Sequence, residues 1–76
     1  MTDPAQVERY SDSTVLRLLL DAREPWSVDE LVRELQDPAA RDAVSRLTQA
    51  GLVHRHDEFV FPTRAARRAA ELEFAN

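Results

Sequence analysis

The chain contains no cysteine, no lysine and only one glycine. Without thiols, disulfides, thiolate metal sites and cysteine nucleophiles are excluded. Apolar runs such as Leu18-Leu19-Leu20 fall far short of the ~20 residues that a membrane span requires. The opening MTDPAQVERY has neither the basic start nor the apolar core of a secretory signal, so a cytoplasmic location is expected. A lone glycine rules out a glycine-rich phosphate loop, and no nucleophile has a base beside it. Neither an enzyme nor a cofactor is expected. The absence of lysine leaves all ten positive side chains as arginine. Genomic base composition explains that bias, though arginine is also the side chain suited to phosphate and guanine.

What is present is ordinary globular composition, 43% hydrophobic and 32% charged over 76 residues. A chain of this size buries only ~60% of the surface its unfolded form exposes, so one small domain is the limit. The net charge of −4 is unevenly spread. Residues 1–36 carry four arginines against eight acids, whereas residues 38–70 carry six arginines against three acids. The second half is thus the candidate surface for an anionic partner.

Residues 1–10 are expected to form a flexible tail, and residues 11–76 a single domain. SDSTVLRLLLDARE predicts a first helix near 12–23, capped by Ser11 or Asp12, with Val15, Leu18, Leu19 and Ala22 inward. Ser27-Val28-Asp29-Glu30 matches the S-x-x-E capping box, in which hydroxyl and carboxylate satisfy exposed backbone N–H groups reciprocally. Trp26 before the cap and Leu31 inside it have the spacing of a hydrophobic staple. The second helix runs near 28–36, with Val28, Leu31, Val32 and Leu35 on one face. Asp37 then caps a third helix near 38–50, Pro38 takes its first position, and Gly51 ends it. Ala40, Val44 and Leu47 face inward.

Beyond Gly51 the period changes from 3.6 to 2. LVHRH and FVFP predict a hairpin over 52–61. With no glycine or asparagine for a tight turn, a four-residue loop His56–Phe59 is expected. That register pairs Arg55 with Val60 and puts Leu52, His54, Phe59 and Phe61 toward the core. Thr63 caps a last helix near 64–73, with Ala65, Ala69 and Leu72 inward.

The segment AVSRLTQAGLVHRHDEFVFPT, an amphipathic helix ending in Leu-x-x-x-Gly-Leu-Val followed by a charged strand, a turn and an apolar strand, resembles the helix-to-wing passage of bacterial winged helix-turn-helix regulators. FVFPTRAARR is similar to the tail of small winged-helix proteins from high-GC bacteria. The resemblance covers residues 12–70. It implies a mainly α fold with a small β-hairpin: a three-helix core, a two-stranded wing and a C-terminal helix.

It also implies a transcription regulator whose third helix enters the major groove of double-stranded DNA. Helical spacing puts Asp42, Ser45, Arg46 and Gln49 on the outer face, with Arg41 and Thr48 on one flank. Arg46 would take guanine and Gln49 adenine; Ser45 and Thr48 suit phosphate or base. Arg55, His56 and Arg64 would contact the backbone. His54 and His56 share a strand face, but spacing fixes no third ligand, so no metal is expected; His54 is expected half-buried beside Phe61.

Two readings remain: a DNA-binding regulator, pairing as a homodimer through Leu72 and Phe74 or through Val7 and Tyr10, and a winged-helix module that binds a protein. A continuous positive strip over the third helix and wing would favour DNA. Interruption of that strip by Asp42, Asp57 and Glu58 would favour a protein partner.

Overall fold

A computed structural model describes residues 3–74. In chain order the elements are α1 (Pro4–Asp21), β1 (Trp26–Ser27), α2 (Val28–Leu35), α3 (Ala39–Gln49), β2 (Val53–His56), β3 (Phe59–Pro62) and α4 (Arg64–Phe74). The protein is mostly helical, with a small antiparallel sheet of strand order β1-β3-β2. Among the described residues, no helix is long and apolar enough to cross a membrane.

The core follows the expected periodicities. Val15 and Leu19 of α1, Val28 and Leu31 of α2, and Ala40, Ala43, Val44 and Leu47 of α3 are buried together with Val53 and Val60 of the sheet. Leu18, Val32 and Leu35 lean on this cluster half-exposed. The small side chains Ala40 and Ala43 let α3 approach its neighbours closely, so the centre is filled by leucine and valine rather than by aromatics.

Helix α1 begins two turns earlier than expected. Asp3 is its cap, accepting from the Ala5 N–H at 3.0 Å, and Pro4 sits in the first turn. Ser11 is buried in mid-helix and Asp12 points to α3, so neither is a cap and residues 4–10 are helical.

The capping box at α2 is complete. The Ser27 hydroxyl accepts from the Glu30 N–H at 3.1 Å, and the Ser27 N–H donates to Glu30 Oε1 at 3.2 Å. Its extended backbone also lets Trp26 and Ser27 pair with Val60 and Phe59, a third strand that two residues without periodicity did not announce. At the other end of α2, Gln36 adopts a left-handed conformation, φ 52°. Its N–H and that of Asp37 donate to the carbonyls of Arg33 and Val32, the closing turn that glycine usually makes. Asp37 caps α3 by accepting from the Ala39 N–H at 3.0 Å. Pro38 has helical dihedrals, as expected for the first position.

Arg55 pairs with Val60, as expected, but the turn is tighter than expected. His56 pairs with Phe59, leaving Asp57 and Glu58 as the loop. Asp57 supplies the left-handed residue, φ 57°, that was sought in glycine or asparagine. The faces are also reversed. Val53, Val60 and Pro62 point inward, whereas His54 and His56 are exposed and Phe59 and Phe61 half-buried on the other side. Val53 of β2 packs toward α3 and Val60 of β3 toward α1, and the larger rings lie on the opposite side of the sheet.

Thr63 caps α4 through its hydroxyl, which accepts from the Ala66 N–H at 3.2 Å. Here too the inward face differs. Ala66 is buried and Ala70 half-buried, while Ala65, Ala69 and Leu72 are exposed. The cap fixes Ala66 against the body, and the stripe one residue away turns to solvent.

Two stability changes follow. Ser27→Ala is expected to lower unfolding free energy by about 1 kcal/mol, and Trp26→Ala by more, since the indole also covers the core. Gln36→Gly is expected to raise stability by roughly 0.5–1 kcal/mol by relieving the left-handed strain. Urea titration measures all three, and a destabilised Gln36→Gly would show that the glutamine is unstrained.

Candidate recognition surface

The outer face of α3 forms because Ala40, Ala43, Val44 and Leu47 are drawn into the core, leaving Arg41, Asp42, Ser45, Thr48 and Gln49 exposed and Arg46 half-buried. The sequence placed these residues on the right side of the helix. It did not reveal what they touch.

Arg46 reaches across to α1. Its Nε donates to both oxygens of Asp12, at 3.0 and 3.3 Å, and its Nη2 donates to Oδ1 at 2.8 Å. About a third of each side chain is exposed (32% and 28%), so solvent screens the pair only partly. Hydrogen bonding to Asp12 raises the guanidinium pKa further, against the opposing effect of burial, and the charge is permanent. The Nε–Nη2 edge of the fork is therefore occupied. Arg41 is also paired, its Nη2 lying 2.7 Å from Asp29 Oδ1 in full solvent. The hydrogen bond and charge of Arg41 hold the Asp29 carboxyl below its ordinary pKa.

The hydroxyls on this face turn back onto the helix. Thr48 donates to the Val44 carbonyl at 2.7 Å, and Ser45 makes a long contact of 3.4 Å to that of Arg41. Both oxygens retain lone pairs, so outwardly they are acceptors. Gln49 and Asp42 are exposed beside them.

On the hairpin, Arg55 is exposed on the side of Val60, beyond the edge of the core. His56 lies near the tip with Nε2 3.9 Å from the Asp57 carboxylate. His54 stacks on Phe61, with ring centroids 5.3 Å apart, but it is exposed rather than half-buried. Arg64 is exposed in the first turn of α4. Thr63 keeps that turn close to the end of α3: its hydroxyl donates to the Gly51 carbonyl at 2.8 Å and its N–H to that of Leu52 at 2.9 Å.

The charge excess of the second half is distributed differently from expectation. Over residues 38–62, Arg41, Arg46 and Arg55 are matched by Asp42, Asp57 and Glu58. The whole surplus resides in Arg64, Arg67 and Arg68 of α4. The face of α3 and the hairpin is thus a mixed surface, interrupted at each of the three acids.

Two open hollows accompany it. One, of about 130 Å³, lies between α1 and the start of α3 beside Tyr10, Thr14 and Leu35. The other, of about 260 Å³, is floored by Leu19, Trp26 and Val60 and edged by Arg23 and Arg67. It falls below the ~300 Å³ at which small-molecule sites begin. Among the described residues, no three histidine or acidic side chains group as metal ligands would.

Comparison with family models, curated proteins and solved structures finds no match to this chain. The geometry itself therefore carries the functional argument.

The Asp12–Arg46 pair joins α1 to α3, and its value is measurable. A double-mutant cycle of Asp12→Ala and Arg46→Ala is expected to give a coupling energy of about 1 kcal/mol, above that of a fully exposed pair. A coupling indistinguishable from zero would mean that the bridge forms without stabilising the fold.

Proposed function

We propose that the chain is a winged helix-turn-helix module whose α3 and hairpin face binds a basic protein surface. The architecture is supported by the order helix, strand, helix, helix, hairpin, helix, and by the pairing of β1 with the half of β3 that leaves the hairpin turn. The choice of partner rests on one observation: both arginines of α3 are held by acids, Arg46 by Asp12 and Arg41 by Asp29.

Duplex binding draws on cations that neutralise phosphates and release counterions. Freeing Arg46 would leave Asp12 half-buried without its partner, an unfavourable exchange. With the arginines engaged, the face presents Asp42, Ser45, Thr48 and Gln49, and the turn adds Asp57 and Glu58. These are mostly acceptors and anions. Such a surface complements lysine and arginine side chains better than phosphate.

The DNA reading keeps one observation in its favour. Ser45, Thr48 and Gln49 lie exposed along one edge of α3, and Arg55 and Arg64 are exposed beyond it. The Arg41–Asp29 pair is solvent-exposed, and pairs of that kind contribute little, so a phosphate could displace it. In that reading the chain is a transcription regulator.

One series separates the two. Wild-type protein is expected to show no salt-dependent retention of random duplexes at ~50 mM salt, where phosphate contacts are strongest. A photo-crosslinker at Gln49 is expected to capture a protein in cells, and Asp42→Arg to abolish that adduct. If a duplex selection instead enriches a defined site, and Arg55→Ala flattens the salt dependence of its binding, the protein reading is replaced by the DNA one.

A further inference from the structure

Helix α4 is held to the body by little of its own length. Of residues 64–73 only Ala66 is buried and Ala70 half-buried. Ala65, Ala69 and Leu72, spaced for one face, point to solvent, and Leu72 is 60% exposed. An isolated helix of this length is marginal in water.

Its charges also oppose its own dipole. Arg64, Arg67 and Arg68 occupy the N-terminal half, where acids are favourable, and Glu71 and Glu73 the C-terminal half, where bases are favourable. No acid lies in the first turn and no base in the last. Within one molecule the apolar face meets nothing among the described residues, and these charges meet only as the long, exposed Arg68–Glu71 pair at 3.8 Å, a kind of contact that contributes little.

An antiparallel copy of the same helix satisfies both. We propose that the chain self-associates through α4, with α4 of a second copy packed antiparallel across Ala65, Ala69 and Leu72. A two-fold axis near the middle of the helix lays Leu72 of each copy over Ala65 of the other. It brings the arginine-rich half of each helix beside the acidic half of its partner. Helical spacing puts Arg64, Arg68 and Glu71 on one flank of the apolar stripe, and a two-fold pairing sets like flanks side by side. Glu71 of one copy then lies between Arg64 and Arg68 of the other. The same antiparallel arrangement aligns opposite dipole ends. This inference is independent of whether α3 meets protein or DNA.

Sedimentation equilibrium tests it. The contact is small, so a dimer is expected at ~100 µM protein and dissociation on dilution or in high salt. Leu72→Glu, at an exposed position, is expected to give a folded monomer. Arg64→Glu/Arg68→Glu is expected to weaken the dimer at least tenfold while raising the helicity of the dilute monomer, because acids now sit at the positive end of the helix. Adding Glu71→Arg to that variant is expected to restore association. A wild-type protein that stays monomeric at ~100 µM would overturn the proposal. So would a dimer that survives Leu72→Glu, or one broken by Tyr10→Glu and indifferent to both α4 changes.

Discussion

The reversal of the chain at Gly51 is the constraint on which everything C-terminal to α3 depends. With φ at 77°, Gly51 turns the backbone so that the Leu52 N–H reaches the Leu47 carbonyl at 3.0 Å and its own N–H reaches that of Thr48 at 3.1 Å. The carbonyls of Gly51 and Leu52 then face the other way and receive the hydroxyl and N–H of Thr63. One residue with left-handed freedom thus ends α3, starts β2 and anchors the first turn of α4. A Cβ at Gly51 would meet no neighbouring atom, so the requirement for glycine is one of backbone conformation and not of space.

Electrostatics divides the surface in a way that net charge conceals. The acids of α1 and α2 take up the arginines of α3, and Asp57 of the hairpin turn lies beside His56. In α4, Arg64, Arg67 and Arg68 outnumber Glu71 and Glu73 and stand at the end of the helix where positive charge is least favourable. A lopsided sequence has become a nearly neutral central face beside one polar helix, and the two call for different partners.

Much of this was legible in the residues. The capping box, the apolar faces of α1 to α3 and Gly51 follow from spacing and turn chemistry alone. The Arg55–Val60 pairing was reached through a longer loop than the structure has, because two- and four-residue loops share that register. The early start of α1 was legible too, because Asp3-Pro4-Ala5 repeats the Asp37-Pro38-Ala39 signal that marks α3, and both aspartates cap at 3.0 Å. The sheet faces were misjudged because Phe59 and Phe61 outrank Val60 in hydrophobic area, yet it is Val60 that is buried where β3 packs on α1. The α4 face slipped by one residue because alanines at 65, 66, 69 and 70 fit two stripes equally well. At the candidate site, spacing predicted exposure for the α3 residues. It did not predict that Arg46, 34 positions from Asp12, would be taken, since a long-range ion pair leaves no periodic trace.

Ser27 belongs at once to a strand and to a helix cap. Its backbone pairs with Phe59, 32 positions along the chain, while its side chain and N–H close the first turn of α2. The start of α2 therefore does not fray as an independent end. Loosening it opens the β1–β3 edge, and with that the packing of Val60 against α1. Amide protons at this junction are expected to exchange through the cooperative opening of sheet and helix together, with the two-residue β1 tying the hairpin to α2 as one unfolding unit.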